Sequence, residues 1–203
     1  MSKTCLSVGG GSRLTQLPEI FKGFEIKILD INPAVEPDVC MDARKLTEWE
    51  GEKFDAVYSS HNLEHFRQTD VLSVLDGLYH VLKEDGVAVI VVPDIRGIVE
   101  WMVKNNYDLD QIVYEVERGV VTIRDMIYGH TGAMRKMTDD WMLHKTGFSE
   151  RLLKHALYDA GFPTVVVEAT GKEVVAVAWK KEQDYIPELN LSTNKLEKDY
   201  TKE

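Results

Sequence analysis

Thr4-Cys5-Leu6-Ser7-Val8-Gly9-Gly10-Gly11 carries an apolar stretch straight into three glycines. A second such stretch, Glu25-Ile26-Lys27-Ile28-Leu29-Asp30, ends in an acid about twenty residues later. Glycines at the end of a strand let the backbone turn sharply and come within contact distance of a ligand, which a Cβ would prevent. A carboxylate at the end of the next strand can accept hydrogen bonds from both hydroxyls of a ribose. The pair outlines a site for an adenosine-containing cofactor. It equally describes a glycine turn between two buried strands with a surface aspartate, and the rest of the chain decides between them.

Composition narrows the classes. The 203 residues suit one domain with a sizeable core, and 44% hydrophobic with 29% charged content is ordinary for a soluble globular protein. A formal net charge of -10 argues against a general binder of nucleic-acid phosphates, whose footprint is a basic face. The N-terminus lacks the apolar core of a secretory signal, and the longest apolar stretch, Val87 to Val92, is far too short to span a bilayer. No membrane partner is expected. Cys5 and Cys40 sit in apolar runs without C-x-x-C spacing, so both read as buried reduced thiols and the cytoplasm is the expected compartment.

Apolar runs bounded by Gly, Pro or Asp alternate with helical periodicity, the pattern of an α/β fold with a parallel sheet. Strands are expected near 4–8, 25–30, 38–41, 54–60 and 87–92. Between the last two, Val71, Val74, Leu75, Leu78, Val81 and Leu82 recur at helical spacing, with Lys83-Glu84-Asp85-Gly86 as polar stop and terminal glycine. A second helix is signalled by Leu152, Leu153, Ala156, Leu157 and Ala160, with Ser149 as N-cap and Gly161 as terminator. The runs Thr164 to Ala169 and Val174 to Trp179 are joined only by Thr170-Gly171-Lys172-Glu173. Parallel neighbours need a connection of a dozen or more residues, so these form an antiparallel hairpin. After Lys180 the chain turns polar, and 181–203 reads as a loosely ordered tail.

The glycine loop departs from the nicotinamide-dinucleotide fingerprint G-x-G-x-x-G at Leu14, where a glycine would allow close packing around a pyrophosphate. A nicotinamide-dependent enzyme is therefore the weaker rival. Asp42, ending Asp38-Val39-Cys40-Met41-Asp42, would share one sheet rim with the glycines and Asp30, beyond the carboxyl ends of the strands. The order suits an amino-acid-linked adenosine: loop for the amino-acid portion, Asp30 for the ribose, Asp42 for the adenine amino group.

With Val8-Gly9-Gly10-Gly11, Leu29-Asp30-Ile31-Asn32-Pro33, Met41-Asp42-Ala43 and Phe54-Asp55-Ala56-Val57-Tyr58-Ser59-Ser60-His61-Asn62-Leu63-Glu64-His65-Phe66 in this order, the chain resembles the class I S-adenosylmethionine-dependent methyltransferases, in their methyltransferase-11-like branch. Tyr79-His80-Val81-Leu82-Lys83 before Gly86, and Leu157 to Phe162 before the final hairpin, extend the match over roughly 4–180. The resemblance implies a Rossmann-like, doubly wound, seven-stranded and mostly parallel sheet ending in an antiparallel hairpin. It implies a methyltransferase domain over 1–180 with a helical substrate-cap insertion over 96–145. S-adenosyl-L-methionine is the implied cofactor, with Gly9, Gly10, Gly11, Asp30, Ile31, Asp42, Ala43 and Ser60 around it. Two residues depart from the family: Ser7 stands where an acid is usual, and Arg13 where a third glycine is usual. They keep open the alternative of a cofactor-binding or structural subunit without turnover.

The loop Ser59-Ser60-His61-Asn62 lacks the [N/D]-P-P-[Y/F/W] of amide- and base-directed members, and the acids of aminopropyl-transferring ones. A small-molecule or glycan acceptor, methylated at oxygen, is the expectation that remains. His61, first beyond the strand, is the leading candidate base, with His130 and His144 behind it, while Glu64 and His65 read as supporting residues. His61 and His65 lack a third ligand at a recognisable spacing, so no metal is expected. The stretch Ile95 to Lys145 also holds Trp101, Tyr128, Met134, Arg135, Lys136 and Trp141, a set suited either to gripping an anionic acceptor or to the core and surface of a small cap.

Overall fold

The computed structural model describes residues 2–11, 17–116, 119–134 and 140–186. Five parallel strands follow in turn: β1 (Thr4–Val8), β2 (Glu25–Asp30), β3 (Val39–Cys40), β4 (Phe54–Ser60) and β5 (Leu82–Pro93). Helix α1 (Val71–Val81) is the crossover between β4 and β5. After α5 (Glu150–Asp159), β8 (Thr164–Ala169) and β9 (Glu173–Trp179) form the antiparallel hairpin, and β9 pairs antiparallel with β5. The seven-stranded order is β3-β2-β1-β4-β5-β9-β8, with the reversal of winding at β1 and β4 that opens a ligand crevice at the strands' carboxyl ends.

The expected α1 stripe is the buried one: Val71, Val74, Leu75, Leu78 and Val81 enter the core, where they meet Leu6, Val57, Ile90 and the α5 residues Leu153 and Leu157. At Gly77 a Cβ would lie 2.5 Å from Leu46 Cβ, so this glycine sets how closely α1 rides on the 3-10 turn Ala43–Glu48. The other sheet face buries Cys5, Ala56, Val89 and Val177 against Phe21. In the β1–β2 connection, residues 9–24, the described part holds only the 3-10 turn Glu19–Phe21.

Three expectations are corrected. Lys83 to Gly86 do not cap the helix: the chain is already extended at Leu82, and these residues fall at a register shift in which Leu82 faces Phe54 and Val87 faces Ala56. Lys83 instead pairs with Asp55 at 2.8 Å, which explains the charge cluster without a turn. Cys40 is exposed because β3 is a two-residue edge strand, whereas burial pushes the Cys5 thiol up to about 12 and leaves it inert. The insertion is also not purely helical. Between α2 (Ile95–Lys104) and α3 (Ile123–Tyr128) runs a hairpin of β6 (Ile112–Val116) and β7 (Gly119–Thr122), followed by α4 (Thr131–Met134). Val113 buries with Ile98 and Ile123 in a small core that also takes Trp101, so Trp101 is a packing residue. The neck closes where Ile95 N–H donates to Phe148 O at 3.0 Å. Arg135, Lys136 and the tail from Pro187 lie outside the described residues, and no described helix is long and apolar enough to cross a membrane.

One buried carboxylate holds the insertion's second half. Asp125 accepts from Thr122 N at 2.9 Å, Thr122 Oγ1 at 2.7 Å, Thr131 N at 3.0 Å and Thr131 Oγ1 at 2.5 Å. Burial opposes its charge, but these donors hold the carboxyl well below the usual carboxylate range. A depressed folded pKa stabilises fully above the unfolded value of about 3.9 and is lost as pH falls below it. Asp125→Ala is expected to cost roughly 2–3 kcal/mol, and acid to loosen the same segment. Amide exchange confined to 119–134 checks both, and unchanged protection there would remove Asp125 as the anchor.

Candidate functional site

Parallel pairing gathers the carboxyl ends of β1, β2, β3, β4 and β5 on one rim. Gly9 N–H donates to Leu29 O at 2.8 Å, Met41 N–H to Asp30 O at 3.2 Å, and His61 N–H to Val91 O at 2.9 Å. Gly9 and Gly11 have φ of 67° and 56°, the left-handed region that glycine enters without steric cost. A Cβ on Gly9 would stand 2.3 Å from Asn62 Oδ1, so the loop packs directly beneath the segment after β4.

Asp30 accepts Gly11 N–H at 3.1 Å on Oδ2 and Asn32 N–H at 2.9 Å on Oδ1. Each oxygen keeps a lone pair for a ribose hydroxyl, and the same side chain presets the glycine loop. Asp42 caps the Ala43–Glu48 turn through Arg44 N–H at 3.0 Å and binds the Arg44 guanidinium at 2.5 Å, whose hydrogen bond holds the carboxyl below its ordinary value. That partner leaves Asp42 less free for an adenine than its sequence position implies. Ala43 is buried, Ile31 exposed and Ser60 half-buried, all three at this rim. Ser12 to Gln16, including Arg13 and Leu14, lie outside the described residues.

His61 takes φ 47°, a backbone that costs a residue with a Cβ about 1–2 kcal/mol. Its ring explains the persistence of that strain. Nε2 lies 2.9 Å from Glu173 Oε1 and Nδ1 3.4 Å from Glu64 Oε1. Burial works against a charged imidazole here, yet the hydrogen bond to Glu173 and the charges of Glu173 and Glu64 outweigh it and push His61 up to about 10. The two carboxylates favour its charged, hydrogen-bond-donating form. Glu173 escaped the sequence reading, although the first residue of an antiparallel strand beside β5 must fall at the rim where β5 ends, opposite Pro93.

The insertion leans over this rim. Lys145 N–H donates to Glu64 O at 2.7 Å, Lys172 Nζ stands 6.0 Å from the Trp101 ring centroid, and the His65 and His144 rings lie 5.1 Å apart. Burial lowers the pKa of His144 and favours its neutral form. His130 Nε2 is buried without a hydrogen-bond partner among the described residues, while Tyr128 is exposed. Glu64 is 1% exposed, and neither carboxylate oxygen accepts a hydrogen bond among the described residues, His61 being the ion-pair contact. Glu64, His65 and His144 bring one ligand atom each within 4.8 Å of one another. The cluster is not the His61–His65 pair considered from the sequence: His61 is outside it, and His144 comes to it across the fold.

Residues 6–90 match the family described as a methyltransferase domain. Among curated proteins none matches the chain. A SAM-dependent methyltransferase from Archaeoglobus fulgidus superposes with a TM-score of 0.56 at 16% identity, covering 88% of this chain and 86% of that one. The 1,6-didemethyltoxoflavin-N1-methyltransferase of Burkholderia thailandensis, solved with 1,6-didemethyltoxoflavin and S-adenosylhomocysteine, gives 0.52 at 17% identity over 89% and 72%. An O-methyltransferase family protein from Burkholderia thailandensis gives 0.54 at 13% identity over 88% of this chain, which spans 51% of that protein. At such identities the likeness is one of fold.

Proposed function

We propose, from the match of residues 6–90 to the methyltransferase-domain family and from the likeness of the fold to solved methyltransferases, that this protein is an S-adenosylmethionine-dependent methyltransferase acting on a small molecule. The observation that carries the reading is the rim itself, where a left-handed glycine loop is pinned to the carboxylate that ends β2. That arrangement suits a cofactor with an amino-acid arm and a ribose and no pyrophosphate. Gly9 to Gly11 would take the methionine arm and Asp30 the ribose. Ile31, Ala43, Asp42 and Ser60 would flank the adenosine. The free thiols fit a reducing, cytoplasmic setting.

The acceptor enters between the β4 loop and the insertion. Its hydroxyl oxygen attacks the sulfonium methyl in line: the oxygen–carbon bond forms as the carbon–sulfur bond breaks, and S-adenosylhomocysteine leaves. The hydroxyl proton passes to a base, for which His130, with its unpartnered buried Nε2, is the candidate. His61 orients the acceptor by donating a charged hydrogen bond. Most of the acceleration would come from holding oxygen and methyl in line.

Labelled-methyl transfer from S-adenosylmethionine into fractionated small molecules and glycans tests the reading, with a labelled product expected. Tight cofactor binding with no product in any fraction would instead favour a subunit without turnover. On the product so found, His61→Ala is expected to lower turnover at least about tenfold, the worth of one charged hydrogen bond of roughly 1.5–3 kcal/mol, with cofactor affinity within a few fold. Normal turnover in that variant would reduce His61 to a structural ion pair.

A further inference from the structure

Glu64, His65 and His144 form a three-ligand cluster, in which Glu64 also faces His61 Nδ1 at 3.4 Å. Glu64 and His65 belong to the 3-10 turn Leu63–His65 just past β4, and His144 to the insertion loop above it. Their ligand atoms lie within 4.8 Å of one another. Two independent features point to a ligand. The Glu64 carboxylate is nine-tenths or more buried, and neither oxygen accepts a hydrogen bond among the described residues. Both imidazoles are also aimed: His65 Nδ1 stands 3.2 Å from Leu143 O and His144 Nδ1 3.2 Å from Ile127 O. A carbonyl only accepts, so each Nδ1 carries the proton and each Nε2 is left with its lone pair. Backbone-oriented imidazoles of this kind are the usual outer support of a metal-bound histidine.

We propose that Glu64, His65 and His144 bind one divalent first-row transition cation, with zinc, cobalt(II) and iron(II) in the class the donors prefer. Two imidazoles and a carboxylate favour these over magnesium or calcium, which take oxygen ligands. Ligand atoms about 2.1 Å from a common cation are separated by about 3.4 Å, so the three close up by roughly 1.4 Å at most, within the rotamer reach of a turn and a loop. The cation would give the Glu64 oxygens, which accept no hydrogen bond among the described residues and meet only the His61 ion-pair contact there, a direct partner, and would clamp the insertion to the sheet rim. Three protein ligands leave a coordination position open to water or another oxygen ligand, as in catalytic and not closed structural sites.

The test uses untagged full-length protein stripped with chelator and titrated with cobalt(II) alone, followed by its d–d absorption, and with zinc alone by calorimetry. One cation per chain and a rise in melting temperature on zinc addition are expected. Glu64→Gln, His65→Ala and His144→Ala are each expected to weaken binding by more than about 100-fold, since even outer-shell changes cost about 10–100-fold. Calorimetric binding of S-adenosylhomocysteine in every variant reports that the fold is intact and stands independently of the metal. Absence of cobalt and zinc binding in protein that still binds S-adenosylhomocysteine would overturn the proposal and leave the methyltransferase reading standing. Uptake unchanged in all three folded variants would overturn it equally.

Discussion

Gly9→Val is expected to weaken binding of S-adenosylmethionine and S-adenosylhomocysteine by more than about 100-fold while the sheet still folds. Three costs fall on one residue. A residue with a Cβ at φ 67° is strained by about 1–2 kcal/mol, and a β-branched side chain fares worse. The new Cβ would lie 2.3 Å from Asn62 Oδ1, so either the Asn62 side chain leaves or the loop lifts off the β4 segment. The remaining methyls would then fill the space that lets backbone approach a ligand. Together these exceed the roughly 2.7 kcal/mol that a 100-fold loss represents. Gly11→Ala is the control: its φ of 56° carries similar strain, but a Cβ there meets nothing within 4 Å among the described residues, so a loss of about tenfold or less is expected. Calorimetry on both variants, with melting temperature to confirm folding, checks the pair. Equal and small losses would mean that close backbone approach at Gly9 plays no part in binding.

What the chain disclosed in advance followed from local rules. Alternation of apolar runs and helical periods gave the strands and α1, and a four-residue joint forced the terminal hairpin, because nothing that short returns a chain to a parallel neighbour. The glycine loop and Asp30 were legible because both terminate strands. Local rules failed where one signal has two causes. Lys83 to Gly86 resemble a helix end by composition, yet the ion pair of Lys83 with Asp55 shows the charges serving a strand irregularity. The β6–β7 hairpin hid in a stretch read as helical because its strands are short and its core is its own, with Val113 turned onto Ile98 and Ile123.

The chemistry beyond the cofactor was least legible, for a topological reason. His61, Glu64 and His65 lie within one short loop, but what decides their roles comes from far along the chain. Glu173 arrives through the antiparallel return of β9, and His144 through a loop of the insertion. A histidine read alone is a base of ordinary pKa, whereas carboxylates such as those of Glu173 and Glu64 beside it favour its charged form. Spacing rules for metal ligands likewise see pairs on one helix and miss a third donor delivered by another element.

Asp30→Ala is expected to weaken cofactor binding by at least about tenfold, and the structure divides that loss into two parts. One part is direct, a carboxylate accepting from ribose hydroxyls, worth about 1.5–3 kcal/mol for each charged hydrogen bond. The other is indirect, because Asp30 holds Gly11 N–H at 3.1 Å and Asn32 N–H at 2.9 Å, and without them the loop must be ordered at the expense of binding energy. The parts separate in a cycle that compares S-adenosylhomocysteine with its 2′,3′-dideoxy analogue in wild type and variant. In wild type the analogue is expected to bind at least about tenfold more weakly. In Asp30→Ala the two ligands are expected to bind alike, since the group that distinguished them is gone, and both to fall below the wild-type affinity for the analogue, since the loop is no longer preset. A preference for the ribose that persists in Asp30→Ala would confine this residue to anchoring the loop and send the search for the ribose acceptor elsewhere on the rim. Equal affinity of the variant and wild type for the analogue would show the opposite, that the hydrogen bonds to Gly11 and Asn32 contribute nothing to binding and Asp30 acts on the ribose alone.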